Sequence, residues 1–151
     1  MIRLQEAPFD VGAELAALSA GRTDIGAVAS FVGLVRDHAG TQAIGAMTLE
    51  HYPGMTEKKL AEIEAEARAR WALQASLIVH RYGRMLPGEP IVLVATAAPH
   101  RAAALEACAF LIDWLKTEAP FWKLEETARA SRWVEARASD DQAAARWARQ
   151  R

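Results

Sequence analysis

An almost unbroken apolar segment at residues 90–98 constrains the fold more than any other part of the chain. It reads Pro-Ile-Val-Leu-Val-Ala-Thr-Ala-Ala and lacks the alternation of polar and apolar residues that a half-exposed strand shows. A strand of this composition is buried on both faces, so we predict that it lies in the middle of a sheet. A helix is predicted next, from about His100 to Glu118. It ends there because Pro120 disfavours helical backbone at Ala119.

The overall composition is that of a single globular domain. The chain has 151 residues, of which 52% are hydrophobic and 25% charged, and its formal charge is -1. These values exclude disorder over most of the chain and any strong field that would attract nucleic acid or an anionic membrane. Residues 90–98 are too few to span a bilayer, which takes about 20, and the first six residues resemble no signal-peptide core. We expect a cytoplasmic protein with no nucleic-acid or membrane partner.

The remaining pattern mixes helices and strands without strict alternation, which predicts an α+β or mixed α/β fold. The predicted strands are 2–5, 25–33, 46–52, 75–80 and a last one from residue 121. Helices are predicted after residue 10 and from about residue 55 to residue 72, with a polar loop at 36–40 and a turn at 83–89. We divide the chain into a domain at 1–138 and an alanine- and arginine-rich tail at 139–151, which we expect to be a loose terminal helix.

Several kinds of site are absent from the sequence. It contains no glycine-rich nucleotide loop and no nucleophile elbow, and the four histidines have no metal-ligand spacing. Cys108 is the one cysteine, which excludes an internal disulfide and a cysteine zinc site. It shares an apolar helix face, so a buried and inert thiol is the expected interpretation.

Two lysines near the end of the predicted helix are open to two interpretations. Lys116 follows Ile112 at i+4 on an otherwise apolar stripe. It either extends to solvent from the last helical turn, which position alone favours, or lies in a pocket where a lowered pKa would suit nucleophilic or base chemistry. Lys123 is predicted on one strand face with Phe121 and Glu125, and the simpler interpretation is a half-exposed strand lysine.

Three cations occupy positions that suit an anion. His100 and Arg101 follow a buried strand at a helix N-terminus, where free N–H groups and the helix dipole attract negative charge. Arg36 lies on a loop after the predicted strand 25–33, a common place for functional residues. The alternative is that Arg101 is simply solvated and His100 is a cap. Taken together, these residues indicate a small anionic ligand.

Four stretches of sequence resemble the family of catalytic, large subunits of molybdopterin synthase. They are Gly-Ala-Val-Ala-Ser-Phe-Val-Gly-Leu-Val-Arg at 26–36, Leu-Glu-His-Tyr-Pro-Gly-Met at 49–55, His-Arg-Tyr-Gly-Arg-Met-Leu-Pro-Gly-Glu at 80–89 with Pro-His-Arg at 99–101, and Leu-Lys-Thr-Glu-Ala-Pro-Phe-Trp-Lys at 115–123. The last is the most specific, and the resemblance extends from about residue 2 to residue 137.

The resemblance implies an α+β fold of the α/β-hammerhead type, with a mixed sheet and two main helices packed on it. It also implies a homodimer that binds a small ubiquitin-like sulfur carrier at each end, giving a heterotetramer. The carrier ends in Gly-Gly and bears a C-terminal thiocarboxylate. Two sulfur transfers convert cyclic pyranopterin monophosphate into the dithiolene of molybdopterin. No metal or cofactor is implied, because the sulfur arrives already activated.

The family's functional positions match residues of this chain. The catalytic pair is Lys116 and Lys123, and these two also contact substrate. The other substrate-binding positions are Leu34, Val35, Arg36, His100, Arg101, Leu124, Glu125 and Arg137. A narrow channel for the Gly-Gly tail is expected to be lined by Phe31, Ile112 and Phe121. Two other functions stay open: a non-catalytic anion-binding module, and an acyltransferase that uses the same lysines.

The implied site raises a geometric problem. At about 1.5 Å per residue, a straight helix separates Arg101 from Lys116 by roughly 22 Å, and a substrate of pterin size cannot reach both. We therefore predict a two-fold dimer in which each pocket takes its lysines from one chain and His100 and Arg101 from the other.

Overall fold

Helices and strands intermix along the chain, which confirms the predicted α+β class. A computed structural model describes residues 1–127, 131–134 and 138–148. The strands in these ranges are β1 (Ile2–Gln5), β2 (Ala27–Leu34), β3 (His38–Ala39), β4 (Gln42–His51), β5 (Ala75–Arg81), β6 (Gly83–Met85), β7 (Pro90–Ala98), β8 (Phe121–Thr127) and β9 (Ser131–Val134). The helices are α1 (Val11–Ser19), α2 (Met55–Trp71), α3 (Arg101–Glu118) and α4 (Ala138–Ala148).

Strand β7 lies inside a four-stranded sheet of order β1-β5-β7-β2. It pairs antiparallel with β5 and with β2, whereas β1 and β5 are parallel. Every residue of β7 after Pro90 is buried, so the central strand predicted from the apolar segment is confirmed. The one polar side chain of β7, Thr96, donates its hydroxyl to the carbonyl of Ala104 in α3 at 2.6 Å. That hydrogen bond joins the strand to the helix.

Helices cover both faces of this sheet. Helices α2 and α3 pack on one face, where Leu60, Phe110 and Leu111 are buried completely. Cys108 lies in the same core, with its sulfur 3.8 Å from the carbonyl oxygen of Val94, and burial raises the pKa of this thiol to about 11. Helix α1 covers the other face and packs on side chains of β5 and β7. None of the helices in the described ranges is long and apolar enough to cross a membrane.

A second sheet has the strand order β3-β4-β8-β9. Strand β6 also belongs to it and pairs with β4 along the edge opposite β8. Its small core contains Met47, Met85 and Ile91. Phe121, the first residue of β8, packs against this core and also against the larger core around α3. The two sheets therefore meet at the point where α3 leads into β8.

Three strands differ from the sequence prediction. Strand β4 begins at Gln42, four residues before the predicted strand, and the loop predicted at 36–40 contains β3. The turn predicted at 83–89 contains β6, whose Met85 is buried opposite Met47. Strands of two or three residues have no periodicity to recognise, because their pairing partner alone specifies them.

The C-terminal helix α4 is packed on α3, in contrast to the loose helix that we expected. The Asp113 carboxylate on α3 accepts hydrogen bonds from Arg146 Nη2 at 2.8 Å and from the Trp147 indole N–H at 2.7 Å. The buried Trp147 ring makes edge contacts with Trp71 and Phe110, at centroid distances of 5.8 and 5.7 Å. The packing depends on two adjacent residues, Arg146 and Trp147, so the alanine-rich composition gives little indication of it.

Gly26 holds the turn between β7 and α3 close to the start of β2. Its N–H donates to the Ala98 carbonyl at 3.1 Å. A Cβ at this position would lie 1.9 Å from the carbonyl oxygen of Pro99, which is a backbone atom and cannot swing aside. Gly12 in α1 offers a matched comparison, because a Cβ there would meet nothing nearer than 3.4 Å.

We expect Gly26→Ala and Gly12→Ala to change stability in opposite directions. Gly26→Ala must push apart two backbone segments and should lower the free energy of unfolding by about 1–3 kcal/mol or more. Gly12→Ala should raise it by up to about 1 kcal/mol, because alanine favours the helix. Urea unfolding of the two variants measures both effects. A neutral Gly26→Ala would contradict the close approach of residues 26 and 99.

Candidate active site

A pocket of about 240 Å³ opens where the end of β2, strands β4 and β8 and the last turn of α3 come together. Its apolar walls include Leu34, Val35, Met47 and Ile91. The polar and charged side chains that line it are Arg36, His38, His80, Lys116, Trp122, Lys123, Glu125 and Asp140. We call this cavity the lysine pocket.

Both candidate catalytic lysines line the lysine pocket. Lys116 is in the last turn of α3, after Leu115, which faces the core and is 2% exposed. Helix α3 ends at Glu118, and the chain turns through Ala119 and Pro120 directly into β8. The N–H of Phe121 donates to the Ala119 carbonyl at 2.8 Å across this turn. A short, hydrogen-bonded turn thus brings Lys116 and Lys123 to one cavity.

The two interpretations of Lys116 both describe part of its environment. The residue is exposed, as expected of a lysine in a last helical turn, and it nevertheless forms part of the cavity wall. Lys123 is half-buried on the same strand face as Phe121 and Glu125, both of which also line the pocket. Trp122, which lies between Phe121 and Lys123 in β8, lines the pocket as well.

The loop after β2 brings Arg36 to the rim of the lysine pocket. The pairing of β2 with β7 shifts between Gly33 and Leu34, where β2 leaves the regular ladder. Val35 then donates its N–H to the Glu89 carbonyl at 3.0 Å and accepts from the Gly88 N–H at 2.7 Å. These bonds fix the backbone beside Arg36, whose own side chain is exposed.

Several residues expected at the site lie elsewhere in the single chain. His100 and Arg101 are exposed at the opposite end of α3, about 22 Å from Lys116 by the helical rise. Phe31, which is 38% exposed on the edge strand β2, does not line the lysine pocket, and neither do Ile112 and Leu124. Arg137 falls outside the residues that the structure describes. The roles expected for these residues stay predictions.

Sequence reasoning missed His80, which is 3% exposed and lines the pocket beside both lysines. Its ring stacks on that of Phe121, with centroids 3.9 Å apart and planes 15° apart. The pKa of His80 is lowered from 6.5 to about 3, mainly by burial and further by the charges of Lys116 and Lys123, against an opposing hydrogen bond to the Arg81 carbonyl. The sequence did contain one indication of this residue, a histidine at the end of an apolar strand. A search for metal-ligand spacing does not select such a histidine.

His38 and Asp140 also line the pocket without having been expected there. His38 Nδ1 lies 2.5 Å from Asp37 Oδ1 on the exposed loop around β3. Asp140 comes from the first turn of α4. Within the described ranges, no three histidine, cysteine, aspartate or glutamate side chains are grouped so that they could hold a metal ion.

The buried His80 should make folding stability sensitive to mild acid. Above pH 6.5 the residue is neutral in both the folded and the unfolded state. Below pH 6.5 the unfolded chain binds a proton that the folded chain rejects down to about pH 3, so stability falls as the pH is lowered. Between pH 7.5 and 5.5 we expect a loss of about 1.4 kcal/mol in the free energy of unfolding.

Urea unfolding at these two pH values measures this loss, and most carboxylates stay ionised over the range. His80→Asn removes the titrating ring and should make the two free energies nearly equal. An equally large loss in that variant would mean that another group is responsible.

Comparisons with known proteins agree with this arrangement. The family model described as MoaE protein matches residues 4–118. A molybdopterin synthase catalytic subunit from Ralstonia nicotianae is 58% identical over 97% of this chain and 83% of its own length. A molybdopterin biosynthesis MoaE protein from Burkholderia ambifaria superposes with a TM-score of 0.84 at 55% identity, over 98% of this chain and 97% of that one.

A more distant structure has a related title. It is a complex of subunits 1 and 2 of the molybdopterin-converting factor from Helicobacter pylori, with 22% identity and a TM-score of 0.76 over 90% of this chain and 91% of that one. At that identity, the likeness supports the fold alone. The family model and the close relatives together show that this chain belongs to the MoaE family of molybdopterin synthase catalytic subunits.

Proposed function

We propose that this chain is the catalytic subunit of a molybdopterin synthase. It transfers two sulfurs from the C-terminal thiocarboxylate of a small ubiquitin-like carrier to cyclic pyranopterin monophosphate, which becomes the dithiolene of molybdopterin. The observation that carries this proposal is the presence of Lys116 and Lys123 in one pocket, with Arg36 at its rim. The cytoplasmic location expected from the sequence stays a prediction.

The charges of the two reactants explain why cations are needed. The precursor carries a cyclic phosphate and the carrier ends in an anionic thiocarboxylate, so bringing them together requires positive groups that offset the repulsion. Arg36 suits the phosphate and pterin side because a guanidinium binds phosphate through two parallel hydrogen bonds. It lies at the opening of the pocket, where a phosphate stays partly hydrated.

The lysines are suited to the acyl end of the carrier. When a nucleophile such as water adds to the acyl carbon, negative charge develops on the acyl oxygen, and an ammonium group nearby stabilises it. Collapse of this tetrahedral intermediate breaks the carbon–sulfur bond, so the sulfur leaves with the precursor to which it is by then bonded and the carrier ends as a carboxylate. We assign the position of the ammonium group to Lys116, which can also donate a proton or attack the acyl carbon as an amine. Lys123 on the adjacent strand supports the charge or transfers protons. A purely binding module would need the arginine but not this lysine pair.

The partner is the small carrier subunit with its Gly-Gly tail. The pocket is small, about 240 Å³, which favours a tail without side chains over a bulkier peptide. The Helicobacter pylori structure is, by its title, a complex of two subunits of the molybdopterin-converting factor.

A two-fold dimer would complete the site with His100 and Arg101. Strand β2 is an edge strand of its sheet, and its Val28, Phe31 and Leu34 are 42%, 38% and 53% exposed. Leu105, one turn after Arg101, is 60% exposed. Apolar side chains exposed along this edge support an interface between two copies, followed by a heterotetramer with two carriers.

We expect Lys116→Ala to lower the rate of sulfur transfer by about 100- to 1,000-fold, because the developing oxyanion loses its ammonium partner. Lys123→Ala should be severely impaired as well. The assay mixes each variant with thiocarboxylated carrier and precursor and measures dithiolene. Lys58→Ala on helix α2, away from the pocket, is the matched control and should retain full activity. Near-normal turnover of Lys116→Ala would contradict the role assigned to it.

We also expect complementation between inactive subunits. Arg101→Ala and Lys116→Ala dimers should each be weak, but a mixed dimer has one pocket with both residues intact. Refolding the two variants together in equal amounts should restore roughly a quarter of wild-type activity, since half of the dimers are mixed and each has one good pocket.

Lys116→Ala refolded with Lys123→Ala is the control for this experiment. Both lysines belong to the same half of each site, so no mixed dimer contains an intact pocket. If mixed dimers of Arg101→Ala and Lys116→Ala form without recovering activity, the site lies within one chain.

A further inference from the structure

His80 connects the core of the first sheet to the lysine pocket. It lies near the end of β5, paired with Leu4 of β1 on one side and with Val92 of β7 on the other. Its ring is buried, stacks on Phe121 of β8 and lines the pocket. A phenylalanine or leucine would provide the same apolar packing, so burial alone does not require a histidine here.

The hydrogen bonding of the ring specifies its tautomer. Nδ1 lies 2.9 Å from the carbonyl oxygen of Arg81. A carbonyl oxygen only accepts, so Nδ1 carries the proton. Because the ring is neutral, Nε2 has no proton and presents a lone pair. The one acceptor of the ring is thus on the side away from the Arg81 carbonyl.

The groups that act on the ring by charge are cationic or basic, and the Glu125 carboxylate lines the same pocket. Lys116 of α3 and Lys123 of β8 act on it most strongly by charge, and His51 of β4 adds a smaller effect of the same sign. Arg81 follows it in β5, with a guanidinium that donates to the Glu6 carbonyl at 2.9 Å. Burial is the main reason why a protonated ring is disfavoured, and these charges add to it.

We propose that His80 is a positioning residue whose Nε2 lone pair accepts a hydrogen bond from the ammonium group of Lys116 or Lys123 and orients it for sulfur transfer. This inference rests on the function proposed above. A neutral acceptor orients an ammonium without cancelling its charge. A carboxylate in the same place would neutralise the lysine and repel the anionic thiocarboxylate, so an uncharged imidazole suits the reaction better.

If the role of His80 were purely structural, a different set of contacts of its ring would be important. In that case only the Nδ1–H bond to the Arg81 carbonyl and the stack on Phe121 would matter. Asparagine and glutamine separate the two roles. Asparagine places an amide N–H near the position of Nδ1, whereas glutamine places an amide oxygen near that of Nε2.

The test compares His80→Gln with His80→Asn in the thiocarboxylate assay. We expect His80→Gln to retain kcat within about fivefold, and His80→Asn to lower kcat by about 10- to 100-fold with little change in KM for the carrier. The opposite order, or wild-type kcat in His80→Asn, would overturn the proposal. If His80→Asn does not fold, His80→Phe replaces it, since phenylalanine retains the stack and has no acceptor.

His51 provides the control, because its ring also contacts that of Phe121, at 6.0 Å, but does not line the pocket. His51→Asn and His51→Gln should both retain kcat within about twofold. The activity of the wild-type enzyme distinguishes a failure of the proposed function from a failure of the role proposed for His80. A wild type that forms no dithiolene contradicts the proposed function, whereas an active wild type with an equally active His80→Asn contradicts only the role of His80.

Discussion

The burial of β7 on both faces is the constraint on which the rest of the molecule depends. A strand without a polar face must be paired on both edges and covered on both sides, and β5, β2, α1 and α3 meet these needs. Helix α3 follows it after a single tight turn, held by the close approach of Gly26 and Pro99. The helix is then laid across the sheet for 18 residues. Its two ends, with their cations, are fixed far apart by the packing of the core.

The site forms where this helix ends. Two residues, Ala119 and Pro120, connect α3 to β8, and the stack of Phe121 on His80 joins β8 to the first sheet. The lysines before and after that turn consequently have little freedom to separate. A rigid turn between two packed elements keeps reactive groups in register better than a long loop would, since loops are more mobile than the elements that they connect.

The sequence predicted the fold best for elements whose structure follows from the local pattern of their own residues. The apolar run of β7, the stripe of α3 and the stop at Pro120 each contain their own signal. The convergence of Lys116, Lys123 and Arg36 depends on the pairing of β4 with β8 and on the register break after Gly33, neither of which local periodicity contains. The positions of these residues made them candidates, and family resemblance supplied the expectation that they share one site. His80 and the packing of Trp147 were missed because each depends on a partner distant in sequence.

Cys108 has a consequence for an enzyme that handles activated sulfur. An acyl group bound to sulfur exchanges with thiolates, so a thiolate near the reaction would capture the carrier as a new thioester and release the original sulfur as the leaving thiolate. The only cysteine of this chain is buried against β7, and the elevated pKa of its thiol keeps it protonated at neutral pH. Cys108 therefore offers no exposed thiolate that would compete for sulfur in the reaction proposed above.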